Sequence, residues 1–466
     1  MELHGKAVLV IGLGRNQGGA GVARWLAHQG ATVRVTDLAG EEALRASVES
    51  LAGLPITFVL GRHEDEDVVW ADVVIRNPAV PTGAPILALA RALGKPILME
   101  MAMFLARTES TVVGITGSKG KTTTSYICRH LVAPAVEVCE LVGNMGIPAL
   151  ERADLGGGSV AVAEISSFQL EGMNERQISP HVAVLTSLFQ DHLDRYDGYC
   201  EYVRTKLAIF DHQGSADWAI VPVSERSRVT PHVRGHAAHF AFPGEVLDRD
   251  ESGAWLEGGV IRCRWDGVGV DLLQRAELPL PGDHNVANAC AAVCAALALG
   301  VPPAIIAAQL RTAPRIEHRL EHVATINGVD YVNDSAATIP AAAAASVRTF
   351  DRRDVVLIMG GSDKRLKPDP LAETLVGVVR EVVVLAGSAS AGLTDAALAQ
   401  GFSSLHGPVT SMADAVAEAT RLARPGTVVL LAPGAASFGM FADEFDRGSQ
   451  FRELVRRLEK SARESD

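Results

Sequence analysis

The sequence predicts an α/β protein of three domains, each built on a mostly parallel, doubly wound sheet. Three observations predict it. At 466 residues the chain exceeds what one hydrophobic core organises, and ordinary domain size divides it into about three. Short β-branched apolar runs alternate with helical stretches along the chain, the pattern of strands joined by crossover helices. Twice a strand runs directly into a glycine turn and then a helix, as at the edge of a nucleotide-binding sheet.

The elements follow in order. Residues 6–13 read as the first strand, 18–30 as a helix and 32–37 as the second strand. Residues 73–76 and 95–98 repeat the pattern, and residues 1–108 make the first, Rossmann-like domain. A second cycle opens at 111–116 (T-V-V-G-I-T), turns through glycines and enters a helix over 122–131. Strands at 160–165 and 181–185 continue a central domain, 109–313, of the phosphate-loop ATPase type. Short strands over 237–270 read as an antiparallel elaboration, and G-D-H-N-V-A-N-A begins a long closing helix. Beyond a hinge at Arg311–Pro314, strands at 355–359, 381–385 and 427–431 make a third, Rossmann-like domain, 314–466. The alanine run 341–345 reads as helix.

Composition excludes several classes. A hydrophobic content of 48% with 21% charged residues is that of a globular protein in water. The net charge of −12 argues against nucleic acid or an anionic membrane as principal partner. It leaves room for an anionic substrate, because a few lysines and a helix N-terminus bind phosphate locally. Every apolar run is broken by Gly, Pro or charge before the roughly 20 residues of a membrane span, and the opening M-E-L-H-G-K-A-V-L-V reads as a strand rather than a signal peptide. The six cysteines form no C-x-x-C pair, and Cys290 and Cys294 read as small hydrophobes in a helix. This is a reduced, cytoplasmic pattern without a structural zinc site.

The strongest chemical signal is G-I-T-G-S-K-G-K-T-T-T, residues 114–124. A strand that ends in glycines before a helix turns amides and helix dipole onto a polyphosphate. Lys121 is placed for the β- and γ-phosphates and the Thr122 hydroxyl for Mg²⁺. The spacing departs from the strict Walker form, since Ile115 stands where its first glycine belongs. A-E-I-S-S-F-Q-L-E puts Glu164 at a strand end, where it could hold a metal near those phosphates, although such a residue alone is commonly a cap or surface ion pair. Q-D-H-L-D-R-Y follows another strand end and supplies His192. Three strand ends on one sheet edge point to one shared site.

These motifs, with H-N-x-x-N, H-R, N-D-S and D-K in the same order, resemble those of the Mur ligases over nearly the whole chain, and E-I-S-S-F-Q-L resembles the branch that adds D-glutamate. The resemblance implies an ATP-dependent ligase of peptidoglycan precursor synthesis. It would join D-glutamate to UDP-N-acetylmuramoyl-L-alanine through an acyl phosphate and release ADP and phosphate. The resemblance also implies that Gly117, Ser118, Lys119, Gly120, Lys121, Thr122 and Thr123 take the ATP phosphates. Asn285, Asn288 and Arg319 would approach the adenine side, and Asp334 would hold the nucleotide from the third domain. Thr122, Glu164, His192 and Lys206 would hold two Mg²⁺ ions, Lys206 as a carbamate, with Lys121, Glu164, His192 and Lys206 the catalytic set. Asn144 would meet the muramoyl substrate, while Thr338, Lys364, Ser437 and Phe445 would line the amino acid. Residues before and after the hinge share one nucleotide in this scheme, so the third domain would swing on ligand binding.

In the first domain, Gly12-x-Gly14-x-x-x-Gly18 with Asp37 resembles a dinucleotide fingerprint with one residue too many. The resemblance implies UDP there instead, with Gly14, Asp37 and Asn77 on the rim. Two departures from the family stand near the amino-acid pocket: Ala336 where a lysine commonly follows N-D-S, and Gly439 where an aspartate is usual. Lys364 and Arg365 would compensate for that lysine. The expected protein is a cytoplasmic monomer. Alternatives are an L-glutamate-adding ligase, a folylpolyglutamate synthetase-like ligase, which S-S-F-Q-L and the first sheet oppose, and a nicotinamide-dependent protein built on the first fingerprint.

Overall fold

A computed structural model describes residues 2–14, 18–144, 147–191 and 195–465. It contains three sheets. The first holds β1 (Ala7–Ile11), β2 (Thr32–Asp37), β3 (Ile56–Leu60), β4 (Val73–Arg76) and β5 (Ile97–Leu98) in the order β3-β2-β1-β4-β5. All its pairings are parallel. The order reverses between β1 and β4, so the carboxyl ends of those two strands flank the crevice where such sheets take ligands.

The second sheet holds β6 (Thr111–Thr116), β7 (Cys139–Gly143), β8 (Val160–Glu164), β9 (Val182–Leu185), β10 (Trp218–Pro222), β11 (His236–Phe240), β12 (Gly253–Glu257), β13 (Val260–Trp265) and β14 (Val268–Gln274). Their order is β14-β13-β12-β11-β10-β9-β6-β8-β7, which places β6 between β8 and β9. The expected antiparallel elaboration is mixed: β10, β11 and β12 pair in parallel, and the chain turns antiparallel only from β12 to β13.

The third sheet holds β15 (Glu321–Ile326), β16 (Val329–Asn333), β17 (Val355–Gly360), β18 (Val379–Leu385), β19 (Leu405–Val409) and β20 (Val428–Leu431), ordered β15-β16-β20-β17-β18-β19. Only β15 and β16 are antiparallel. They are joined by Asn327-Gly328, both at positive φ, the turn that suits strand twist. Alternation along β17 sends Val355, Leu357 and Met359 into the apolar layer on one face and Val356 and Ile358 into that on the other.

The chain forms two compact units. Met1–Leu188, Cys200–Leu273 and Asn288–Leu310 make one, which carries the first two sheets. Phe189–Tyr199, Gln274–Ala287 and Arg311–Asp466 make the other, which carries the third. Within the first unit the two sheets meet closely. A Cβ on Gly21 would lie 2.3 Å from Pro148, and Arg24 pairs with Glu151 at 2.7 Å. Among the described residues no helix is long and apolar enough to cross a membrane.

Candidate active site

The site forms where β6 ends. Thr116 closes the strand, residues 117–120 turn, and the Lys121–Val132 helix begins. Gly117 has φ +145, and a Cβ there would lie 2.0 Å from Thr186 Oγ1. Gly120 has φ +89, and its Cβ would lie 2.3 Å from Asn288 Oδ1. Both positions therefore demand glycine, for conformation and for space. The residues after β9 pin the loop. Ser118 N donates to Ser187 O at 2.8 Å, Lys119 N to Ser187 Oγ at 3.1 Å, and Thr186 Oγ1 to Lys119 O at 2.6 Å. Ser118 Oγ and the Tyr202 hydroxyl share a hydrogen bond of 2.9 Å. Lys121 curls over the loop, with Nζ donating to Gly117 O at 2.9 Å and Ser118 O at 3.2 Å. Thr122 is half-buried and Thr123 buried in the first turn of the helix.

Glu164 ends β8 beside this loop, its backbone in register with Ile115 of β6. Its side chain is 3% exposed. Oε1 accepts from Asn144 Nδ2 at 3.0 Å, while Oε2 is buried with no hydrogen-bond partner. A stranded carboxylate oxygen is costly unless something cationic meets it. With the Thr122 hydroxyl at the start of the neighbouring helix, it makes a set of hard oxygen donors that fits Mg²⁺. Lys206, on the Tyr199–Leu207 helix, is 2% exposed and donates through Nζ to Thr116 Oγ1 at 3.1 Å. Its ammonium also lies 5.4 Å from the centre of the Tyr202 ring. His192 lies outside the described residues. Among the described residues no group of three or more His, Cys, Asp or Glu converges as a metal cluster.

The Asp283–Ala298 helix carries both expected asparagines, each buried. Asn288 reaches the loop and takes a hydrogen bond from Thr124 Oγ1 at 3.4 Å. Asn285 binds its own turn, with Nδ2 donating to Pro281 O at 2.7 Å.

At the first sheet, the crevice between β1 and β4 gathers Gly14, Asp37 and Asn77. Asp37 spends its carboxylate on the glycine turn: Oδ2 accepts from Leu13 N at 2.8 Å and Gly14 N at 3.1 Å, and Oδ1 from Ala39 N at 2.8 Å. A Cβ on Gly12 would lie 2.8 Å from that of Asn77, and one on Gly14 3.6 Å from its Nδ2. The fingerprint reading needs one correction. Nothing stands within 4 Å of a Cβ on Gly18, whereas one on Gly19 would lie 2.3 Å from Leu13 O. The glycine that lets helix and strand approach is Gly19.

In the second unit, Lys364 follows β17 and Thr338 follows β16. Lys364 Nζ lies 3.4 Å from Thr338 Oγ1 and 3.3 Å from Asp191 Oδ1. Beside them is a cavity of about 110 Å³ lined by Pro340, Ser362, Asp363, Lys364, Ser388 and Ala435, among others. A second, of about 330 Å³, lies against Phe189, Ile339, Leu366 and Lys367. Ser437 and Phe445 line neither; Ser437 is buried, and Phe445 is exposed with its ring edge-on to His318 at 5.9 Å. Arg365 also lines neither cavity and is exposed. Gly439 has φ +96, a conformation that aspartate adopts only under strain.

Asp334 is held by Leu320 N at 3.2 Å and by the Ser346 hydroxyl. Burial pushes its carboxyl above the usual range, and burial holds the neighbouring His284 below its own, with Arg319 close enough to favour the carboxylate. One buried side chain that organises the loops around Thr338 and Ser437 escaped the sequence reading. Arg447 is fully buried and donates through Nε to Ser335 Oγ at 3.0 Å, and through its two Nη atoms to Ala435 O at 3.1 Å and Ser335 O at 2.9 Å. It thereby ties the loop before Thr338 to the loop before Ser437, and burial lowers its pKa to about 10. The signal was available: Arg447, Phe451 and Val455 are spaced four apart, one buried stripe of the Glu444–Ser465 helix.

Comparison with known proteins accords with this geometry. Family models match residues 6–99 (Mur ligase MurD-like, N-terminal domain), 115–296 (Mur ligase middle domain) and 318–435 (Mur ligase, glutamate ligase domain). The UDP-N-acetylmuramoylalanine–D-glutamate ligase of Roseiflexus sp. (strain RS-1) is 42% identical over 463 residues, covering 98% of this chain and 99% of that one. Its counterpart from Geotalea uraniireducens (strain Rf4) is 37% identical over 99% of this chain and 100% of that one. Among solved structures, the UDP-N-acetylmuramate-alanine ligase MurC of Thermotoga maritima superposes with a TM-score of 0.61 at 20% identity, covering 97% of this chain and 100% of that one. The MurF ligase of Thermotoga maritima in complex with ADP also gives 0.61, at 18% identity, covering 100% of this chain and 97% of that one. Both share its fold.

Proposed function

The chain belongs to the Mur ligase family, and we propose that it joins D-glutamate to UDP-N-acetylmuramoyl-L-alanine with conversion of ATP to ADP and phosphate, a step of peptidoglycan precursor synthesis. The observation that carries the reading is the loop after β6, closed by glycines and headed by Lys121, beside a buried carboxylate oxygen of Glu164 that has no partner.

The chemistry follows from the substrate. A carboxylate is a poor electrophile, so its oxygen first attacks the γ-phosphorus of ATP, and ADP leaves. The amine of glutamate then attacks the acyl phosphate, and phosphate leaves. Negative charge moves across phosphate oxygens in both steps. Lys121 and the N-terminus of the helix it heads face that charge, and Lys121 exchanges its two loop carbonyls for phosphate oxygens. Mg²⁺, held by Thr122 and Glu164 with His192, would neutralise phosphate charge. Lys206, buried beside Thr116, becomes an acidic residue if its amine adds to CO₂ and loses a proton. Asn288 holds the back of the loop, and Asp334 and Arg319 serve the nucleotide from the third domain.

The sugar nucleotide lies at the β1–β4 crevice with Asn77 and Asn144 on its path. Asp37 braces the glycine turn that borders the crevice, accepting from its Leu13 and Gly14 amides. Lys364 and Thr338 offer an ammonium and a hydroxyl to one carboxylate of glutamate, while Ser437 and Phe445 complete the pocket on binding. Domains of 1–108, 109–313 and 314–466 divide these tasks, and the enzyme works as a cytoplasmic monomer.

The test is ADP release with D- and L-glutamate side by side and UDP-muramoyl-alanine as acceptor. Turnover with the D-isomer alone is expected. Equal or faster turnover of L-glutamate would overturn the amino-acid assignment.

A further inference from the structure

A buried charge is among the contacts that join the two sheets of the first unit. Arg76, the last residue of β4, is 1% exposed. Its Nε donates to Val80 O at 2.9 Å, and one Nη pairs with Glu171 on the Ser167–Glu175 helix that follows β8. The other Nη is buried with no hydrogen-bond partner. The helix comes within reach because residue 172 is glycine: a Cβ there would lie 2.5 Å from Met99 Sδ.

Stability alone does not account for this pair. A buried ion pair offsets its desolvation only when its remaining donors are satisfied, and here one is stranded. What the pair does set is register. On one side it fixes the Val80 carbonyl, and so the 77–80 turn, where Asn77 and Val80 pack on Gly12. On the other it fixes a helix whose capping box, Ser166 with Gln169, begins two residues after Glu164. Both ends of the brace therefore adjoin the proposed reaction path, one at the sugar-nucleotide crevice and one at the phosphate edge.

We infer that Arg76 is a positioning residue that, through Glu171, holds the sugar-nucleotide crevice of the first sheet in register with the Glu164 edge of the second. The inference rests on the ligase reading for what the crevice binds. Arg76 touches neither substrate; it acts through the turn and the helix it joins.

Removing Arg76 alone takes its cationic partner from Glu171 and risks unfolding, so the informative variant is Arg76→Met/Glu171→Leu, which removes both charges together. Calorimetry with UDP-N-acetylmuramoyl-L-alanine should show its Kd raised about tenfold, and kcat/KM for it should fall at least as far, since small misplacements at a reacting centre are costly. ATP affinity should hold, because Thr186, Ser187 and Asn288 pin the phosphate loop independently of β4. Arg76→Lys, which keeps a charge opposite Glu171, should retain most of the wild-type affinity. A double variant with wild-type Kd and kcat/KM would overturn the inference whatever its melting temperature, as would equal weakening of ATP and sugar-nucleotide binding. Wild-type protein that binds the sugar nucleotide but releases no ADP would refute the ligase reading, and calorimetry would still decide the brace.

Discussion

Gly120→Ala tests the closed loop most sharply. The residue has φ +89, where a side chain costs about 1–2 kcal/mol relative to glycine. The new Cβ would stand 2.3 Å from Asn288 Oδ1, a separation that real contacts do not show, so Asn288 or the loop must move. Moving Asn288 gives up its hydrogen bond from Thr124, about 1 kcal/mol. The total of about 2–3 kcal/mol falls on a loop whose only proposed task is to hold ATP, and it converts to about a 30- to 150-fold rise in KM for ATP. KM for the sugar nucleotide should change little. The assay is ADP release against ATP concentration, with a thermal melt to show that the protein is folded. Adding Asn288→Ala removes the obstructing oxygen, so Gly120→Ala should then cost only its backbone term, about tenfold. Gly120→Ala with KM for ATP within about threefold of wild type, and no change on melting, would refute the geometry on which the nucleotide site is built.

Two further outcomes follow. Lys206→Ala should lose activity and regain part of it with added short carboxylates, as expected of a carbamate; full activity in the variant would reject that role. Glu100 lies beneath the Ala149–Arg152 turn with Oε1 3.4 Å from Leu150 N, and burial raises its pKa from 4.5 to about 7. A raised acid pKa gives stability that is complete below about pH 4.5 and lost as pH rises through about 7, a difference of about 3 kcal/mol. Glu100→Gln should therefore melt several degrees above wild type at pH 8 and alongside it at pH 4.5. A melting difference independent of pH would contradict the assignment.

What was legible in the sequence depended on how much of each signal was local. β1, β6, β17 and β20 are apolar runs rich in β-branched residues and buried along nearly their full length, and they read directly; β2 read from its alternation, with Val33 and Val35 buried on either side of Arg34. β3 packs at an edge with only partial burial, and β7 carries Glu140 on an edge strand, so neither has a clean period. The mixed direction of β11 to β13 is set by which neighbour each strand meets, and composition does not encode that. At the site, the loop glycines and the Glu164 strand end were readable because one turn makes them. Asp37 was legible as a strand-end acid, yet its use by the Leu13 and Gly14 amides required coordinates. Gly19 and Arg447 were missed for one reason: their roles lie in contacts with backbone carbonyls outside their own helices, although the four-residue spacing to Phe451 gave notice of Arg447.

The central claim is that a carboxylate oxygen attacks the γ-phosphorus before the amine arrives, and labelling that carboxylate with ¹⁸O tests it most directly. The acyl phosphate route sends one labelled oxygen from the alanyl carboxylate of UDP-N-acetylmuramoyl-L-alanine into inorganic phosphate, with ADP as the other nucleotide product. Label in AMP with release of pyrophosphate, or phosphate free of label, would contradict it.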